Sequence, residues 1–259
     1  MDFSDYFQQD IALAHPSWHV VLKQGLDAIE QQYPGYLSQL AKTHFLPTQH
    51  RLFAAFSMPI SEIRYVLIGE GPYPREASAT GYCFMDGAVA EIWSQEASAG
   101  LSKSVNRATS LRNFIKMLLV ADGYLTLDDT SSRALTSFVQ QMRQESDKYV
   151  QTMMQLQDNF LKHGFLMLNA SLVFRSEVSP AEDAKVWRIF LQFVFEALAQ
   201  QASVPSLILW GKIADRLESI DVLSQFEKIK SEHPYNLSFI GNLSMHKLFA
   251  PMKLLSRSM

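Results

Sequence analysis

Cysteine is nearly absent: the 259 residues hold one, Cys83, which excludes an intrachain disulfide framework and any Cys-x-x-Cys metal or redox pair. Long apolar runs are missing too. No stretch reaches the roughly 18 to 20 uninterrupted apolar residues of a membrane span, and Met1-Asp2-Phe3-Ser4-Asp5 lacks the basic start of a secretory leader. A soluble, cytoplasmic protein with no membrane contact is expected. Nor is there an excess of positive charge: 23 Lys and Arg against 26 Asp and Glu leave −3, whereas phosphate binding normally rests on clustered cations. The G-x-S-x-G elbow of the α/β hydrolases does not occur. His15 and His19 have ligand-like spacing, but Pro16 and a helix start at Ser17 separate them, so neither metal nor cofactor is expected.

What is present is a sizeable apolar fraction, 47% of the chain, enough to build one large core. No linker, repeat or low-complexity tract divides it, so a single domain over residues 1–259, acting as a monomer, is expected. Trp18, Val21, Leu22, Leu26 and Ile29 recur at helical spacing from Ser17 to Tyr33, with Ser17 as N-cap, and a second helix covers Gly35 to Lys42. Tyr65-Val66-Leu67-Ile68, Phe165-Leu166-Met167-Leu168 and Ser206-Leu207-Ile208-Leu209-Trp210 are short apolar runs ended by turn residues, the form of strands covered on both faces. Ser179-Pro180-Ala181-Glu182 marks a helix start with a capping box, and Trp187, Phe190, Leu191, Val194 and Leu198 form its buried face. From Ser131 to His163 an amphipathic stripe fits one helix or two, and Asp122 to Ser132 is the most loop-like segment. The alternation predicts a three-layer α/β/α fold with a central, mainly parallel four-stranded sheet, the fourth strand lying before His233. Ligands of such sheets sit beyond the carboxyl ends of the strands, here Gly69 to Pro74, Asn169 to Ser171, Gly211 and His233 to Leu237.

Residues 66 to 74, Val-Leu-Ile-Gly-Glu-Gly-Pro-Tyr-Pro, with Gly81-Tyr82-Cys83-Phe84 after them, resemble the first motif of the uracil-DNA glycosylases, G-Q-D-P-Y-H followed by G-L-C-F. Three further segments agree in order. Leu166-Met167-Leu168-Asn169 is similar to that family's L-L-L-N, Leu209-Trp210-Gly211 to its L-W-G, and His233-Pro234-Tyr235-Asn236-Leu237-Ser238 to its H-P-S-P-L-S loop. Ser110-Leu111-Arg112-Asn113-Phe114-Ile115-Lys116 is a fainter echo. An ordered series is far more specific than one short motif.

The resemblance implies a DNA glycosylase of base excision repair that extrudes uracil or a related damaged base from single- or double-stranded DNA and hydrolyses its glycosidic bond. Asn169 would select the base, since an amide offers the acceptor and donor that match the imide N–H and O4 of uracil. Phe84 would stack on that base, and Tyr73 would fill the space a thymine methyl needs. His233 would hold the departing anion, Leu237 would wedge into the base stack, and Ser238 and Ser110 would face DNA. The pattern departs at three positions of the loop: Gly71 stands where the family keeps its water-handling aspartate, Glu70 replaces glutamine and Pro74 replaces histidine. Glu70 or Asp86 is then the carboxylate left to attend the water.

Each residue also has a plainer reading. Asn169 could bond its own turn, Phe84 and Tyr73 could be core, His233 one ordinary histidine among seven, and Leu237 a lone exposed leucine. Lys103, Arg107, Arg112 and Lys116 fall in the acid-free stretch Ala97 to Ala121 and form either a DNA-facing patch or a solvated helix face. No Lys or Arg lies between His233 and His246, and the loop's second proline is Asn236, which predicts weak duplex binding. The competing function keeps the fold without the reaction: a silent paralogue that binds DNA, a flipped base or a protein partner; a protein partner or inhibitor is also expected beside DNA.

Overall fold

The structure is a computed structural model of the chain and describes residues 3–96, 100–213, 217 and 220–257. Its helices include α1 (Phe3–Leu13), α2 (His19–Gln32), α3 (Tyr36–Leu40), α4 (Lys103–Arg107), α5 (Thr109–Ala121), α6 (Ser132–Gln144), α7 (Met153–Lys162), α8 (Pro180–Ala199) and α9 (Leu243–Phe249). The strands are β1 (Tyr65–Gly69), β2 (Phe165–Asn169), β3 (Ser206–Trp210) and β4 (Lys228–Ser231). Contacts divide the chain into two compact units, Met1–Asp86 with Gly164–Ile229, and Gly87–His163 with Lys230–Met259.

The strands form one parallel sheet in the order β2-β1-β3-β4, of which β1, β2 and β3 lie wholly in the first unit. Tyr65 pairs with both Phe165 and Ser206, and Gly69 pairs with Asn169. Side chains alternate across the pleat. Val66, Ile68, Leu166, Leu168, Leu207 and Leu209 join a core with Leu22, Leu26 and Ile29 of α2 and Phe190, Leu191 and Val194 of α8. Leu67, Met167 and Ile208 take the other face and are at most 1% exposed. Burial on both faces is why these strands are apolar throughout rather than alternating.

Two expected helix starts differ in detail. The α2 helix begins at His19, after a 3-10 turn over Pro16–Trp18. Ser17 does not cap it, because its hydroxyl accepts the Ile60 N–H at 3.0 Å. For α8, Ser179 and Pro180 occupy the expected positions, but the Ser179 side chain makes no capping bond. That end is fixed one turn in: buried Asp183 accepts from Arg175 Nη2 and from the Tyr36 hydroxyl, each at 2.6 Å. Arg175 also lies 5.5 Å above the Tyr36 ring.

In the second unit the stripe from Ser131 to His163 is two helices, α6 and α7. Ser131 caps the first, and Thr152 with Gln155 forms a capping box on the second. Phe114 of α5, Phe160 of α7 and Phe249 of α9 pack together with ring centroids 5.3 to 6.2 Å apart. Asn159, nearly buried in α7, donates to the carbonyls of Leu254 and Ser256 at 2.9 and 2.7 Å, which seats the chain after α9. Among the described residues no helix is long and apolar enough to cross a membrane.

Candidate active site

In the first unit the loops leaving β1 and β2 run side by side. Their pairing outlasts the strands: Ala170 N–H donates to Gly69 O at 2.8 Å and Ser171 N–H to Glu70 O at 3.2 Å. Gly69 is required there. A β-carbon on it would stand 2.8 Å from Cys83 Cβ and 3.0 Å from Asn169 Oδ1, so the loop lies directly against the Asn169 amide. Asn169 is 4% exposed, yet among the described residues its side chain has no hydrogen-bond partner. The bond to its own turn that would make it a plain strand terminator is not formed.

Gly71, in contrast, is exposed and has room. A β-carbon there would meet Ser171 Cβ and O at 3.7 Å, an ordinary contact, and its backbone is not left-handed. Exposed Glu70 precedes it.

The following segment, residues 79 to 86, is closed on itself. Ala79 bridges Asp86, and the Thr80 hydroxyl donates to Met85 O at 2.9 Å. Gly81 turns it at φ 88°, where a β-carbon would come 2.2 Å from Arg51 O. Phe84 then takes φ 64°, a left-handed conformation that costs an aromatic residue energy and marks constrained positions. Its ring meets Trp210, at the end of β3, edge to face at 5.1 Å. The Tyr73 hydroxyl donates to Phe84 O at 3.5 Å. Burial, with Asp86 and Cys83 nearby, raises the Tyr73 phenol well above its ordinary value, so it stays protonated. Asp86 is nearly buried, with its carboxylate 3.6 Å from Arg75 Nη2.

Cys83 is packed rather than reactive. Its N–H donates to Met167 O at 3.1 Å, its thiol to Leu67 O at 3.2 Å, and burial pushes the thiol up. A cavity of about 540 Å³ adjoins the loops that leave β1 and β2, lined by Glu70, Ala170, Arg188, Leu191 and Leu217 among others. Of the expected site residues it takes only Glu70. Arg188 gives no signal in the sequence beyond a place on α8.

The loop after β4 belongs to the second unit. The Tyr235 N–H donates to His233 Nδ1 at 3.1 Å, so the neutral ring carries its proton on Nε2. Asn113 of α5, fully buried, spans the loop from beneath: its Nδ2 donates to Pro234 O at 2.8 Å and Tyr235 O at 3.2 Å. Asn242 donates to Glu232 Oε2 at 2.7 Å and caps α9 through Met245 N–H. Burial pushes the Glu232 carboxyl upward, but hydrogen bonds from Ser238, its own backbone and Asn242 bring it below its ordinary value. The Ser238 hydroxyl therefore faces Glu232. Leu237 and Tyr235 are 72% and 67% exposed.

Ser110 is half-buried in the first turn of α5. Of the basic group around it, Lys103 pairs with Glu96 at 3.2 Å, Arg112 donates to Asn106 O at 3.0 Å and Lys116 to Thr130 O at 2.7 Å. Three of the four cations thus have partners of their own. Residues 97–99 of that stretch lie outside the described residues. Among the described residues no group of three or more His, Cys, Asp or Glu is placed to hold a metal ion.

No family model matches the sequence. Two curated relatives, each named uracil-DNA glycosylase, come from Streptococcus mutans serotype c and Nocardioides sp. The first is 25% identical over 237 residues, 87% of this chain and 86% of that protein. The second is 24% identical over 234 residues, 88% and 82%. The crystal structure of the wild-type UNG of Nitratifractor salsuginis is 37% identical, with TM-score 0.86 over 98% of this chain and 97% of that one. Mimivirus uracil-DNA glycosylase, 16% identical with TM-score 0.54 over 87% and 71%, agrees in fold; a variant of it was crystallised in complex with UGI.

Proposed function

This chain belongs to the uracil-DNA glycosylase family, and from that membership we propose that it hydrolyses the N-glycosidic bond of uracil, or a related damaged base, in DNA. Water adds to the sugar C1′, the C1′–N1 electron pair leaves with the base as an anion, and the water's proton passes to solvent or a carboxylate. In this reading residues 1–259 act as one catalytic domain, cytoplasmic and monomeric.

The observation that carries it is the nearly buried, unpartnered amide of Asn169 at the end of β2. Its polar atoms are not among the sealed, unsatisfied ones, so they keep contact with solvent and can exchange water for a ligand with complementary donor and acceptor. Uracil is such a ligand, while the amino group of cytosine places a donor where the amide needs an acceptor. Phe84 is the stacking surface, and its left-handed backbone supports a constrained position. Tyr73, protonated and half-buried, is the wall against a 5-methyl group.

His233 serves as the donor to the leaving base. Its Nδ1 accepts from the Tyr235 N–H, which puts the proton of the neutral ring on Nε2, the donor in this reading; a preorganised donor of this kind contributes roughly 3–4 kcal/mol. Glu70 and Asp86 divide the work of the carboxylate replaced by Gly71: exposed Glu70 attends the water, and Asp86, fixed near Arg75, supplies negative charge toward the cationic sugar. Leu237 is the wedge; Ser110 faces the DNA strand, and Ser238, its hydroxyl engaged by Glu232, does so through its backbone. A protein partner or inhibitor is proposed beside DNA, the mimivirus complex with UGI being the supporting instance.

The test is incubation with uracil-bearing single- and double-stranded oligonucleotides, followed by alkali. Strand breaks that vanish in Asn169→Ala and His233→Ala support the enzyme. Binding without breaks, unaffected by either substitution, establishes the silent paralogue that Gly71 also fits.

A further inference from the structure

The loop after β4 presents an aromatic ring that the glycosylase reaction, as described, leaves unused. Tyr235 is 67% exposed. Among the described residues its hydroxyl has no hydrogen bond and its ring no aromatic partner. Exposed side chains usually sit on mobile backbone, but this backbone is held: Tyr235 N–H is bound to His233 Nδ1 and Tyr235 O to Asn113 Nδ2. Two residues on, Leu237 is 72% exposed, and Leu243 at the start of α9 is 78% exposed. Tyr235 and Leu237 are thus exposed on one loop whose backbone is fixed, the setting of an interaction surface.

The chemistry of the segment identifies the partner. From His233 to His246 there is no Lys or Arg, and the Ser238 hydroxyl is turned to the Glu232 carboxylate. The loop therefore has little with which to grip phosphates. What it offers is a flat aromatic face between a histidine and an exposed leucine, which suits the face of an unpaired base.

We propose that Tyr235 is a base-stacking residue that holds an unpaired nucleobase of single-stranded DNA. This rests on the glycosylase reading for DNA as the partner, though not for the stacking itself. Stacking on an aromatic ring tolerates any base and adds affinity without counterion release. Tyr235 thus compensates, through bases, for the cations that the loop lacks.

The experiment measures anisotropy of a labelled, uracil-free single-stranded thymidine oligonucleotide over a range of salt, with Tyr235→Ala and Tyr235→Phe beside the unaltered chain. Tyr235→Ala should weaken binding roughly 5- to 100-fold and leave the salt slope unchanged. Tyr235→Phe should retain it within about threefold, because the ring and not the hydroxyl stacks. Equal binding by the Ala variant, a reduced salt slope, or a Phe variant as weak as Ala overturns the proposal. Asn169→Ala provides the separation: it should abolish excision and leave this binding intact. If the unaltered chain excises nothing while the Tyr235 effect stands, the enzymatic reading fails and the stacking residue survives.

Discussion

The side-chain oxygen of Asn169 lies 3.0 Å from the point where a β-carbon on Gly69 would stand, and Cys83 Cβ lies 2.8 Å from that same point. Gly69→Ala must therefore displace either the Cys83 backbone region or the amide. We expect a stability loss of about 1–3 kcal/mol from overpacking. Excision should fall further, by roughly 100-fold, since small misplacements of a base-reading group are costly. Thermal melts and excision rates measured together test this. A variant that melts lower but excises normally would show that Gly69 serves packing alone.

Gly71 lies two residues on and behaves oppositely. Its absent β-carbon would be 3.7 Å from the nearest atoms of Ser171, so Gly71→Ala should fold normally and gain a few tenths to about 1 kcal/mol by restricting the unfolded chain. Gly71→Asp would place a carboxylate in the loop and, on the proposed mechanism, should raise the single-turnover rate on uracil DNA roughly 10- to 100-fold. If Glu70 already attends the water, Glu70→Gln should lower the rate in the native chain and matter less when combined with Gly71→Asp. An unchanged rate in both would remove the carboxylate from the mechanism.

The strands are legible wherever burial dictates composition. Val66-Leu67-Ile68, Leu166-Met167-Leu168 and Leu207-Ile208-Leu209 are apolar because both faces of the sheet are covered. The fourth strand, Lys228-Ile229-Lys230-Ser231, follows in the sequence only from its place in the alternation. It closes the sheet at an edge and its lysine side chains are exposed, the charged composition that edge strands carry. Asn169 is legible as a strand-ending amide in a family motif, but its lack of a partner is not. The Asn113 clamp is least legible of all, because it joins positions 121 residues apart in sequence; only a faint echo around Ser110 to Lys116 draws attention to that segment. The capping boxes show the same limit. Ser179 looks ideal and makes no capping bond, whereas Thr152 and Gln155, inside an amphipathic stripe, make both bonds.

Cys83 gives a pH signature. Burial raises its thiol above the ordinary value of 9.0, so the folded chain keeps a proton that the unfolded chain releases. Stability from this group is complete below pH 9 and declines as pH rises, because there the unfolded state binds fewer protons. At pH 10 the decline should reach about 1.4 kcal/mol, one pKa unit's worth. Comparing denaturant melts at pH 8 and pH 10 for the native chain and Cys83→Ala isolates it: the alanine variant should begin less stable and lose less. Thiol reagents at pH 8 should leave the folded native chain unmodified.

Asn113 is the pin beneath the loop that carries His233, Tyr235 and Leu237, and its Oδ1 has no hydrogen-bond partner among the described residues. Donation from Nδ2 is therefore the function of this side chain. Asn113→Ala frees the carbonyls of Pro234 and Tyr235, and should cost about 1–3 kcal/mol. Asn113→Asp is nearly isosteric but donates nothing when ionised, so it should be at least as damaging. The two separate stability from positioning. Because the His233 ring is oriented by a Tyr235 N–H from the same pinned stretch, loosening that stretch should lower kcat on uracil DNA more than it raises KM. Single-turnover rates at a temperature where both variants remain folded measure the effect. Rates equal to that of the native chain would show that His233 is held by other contacts.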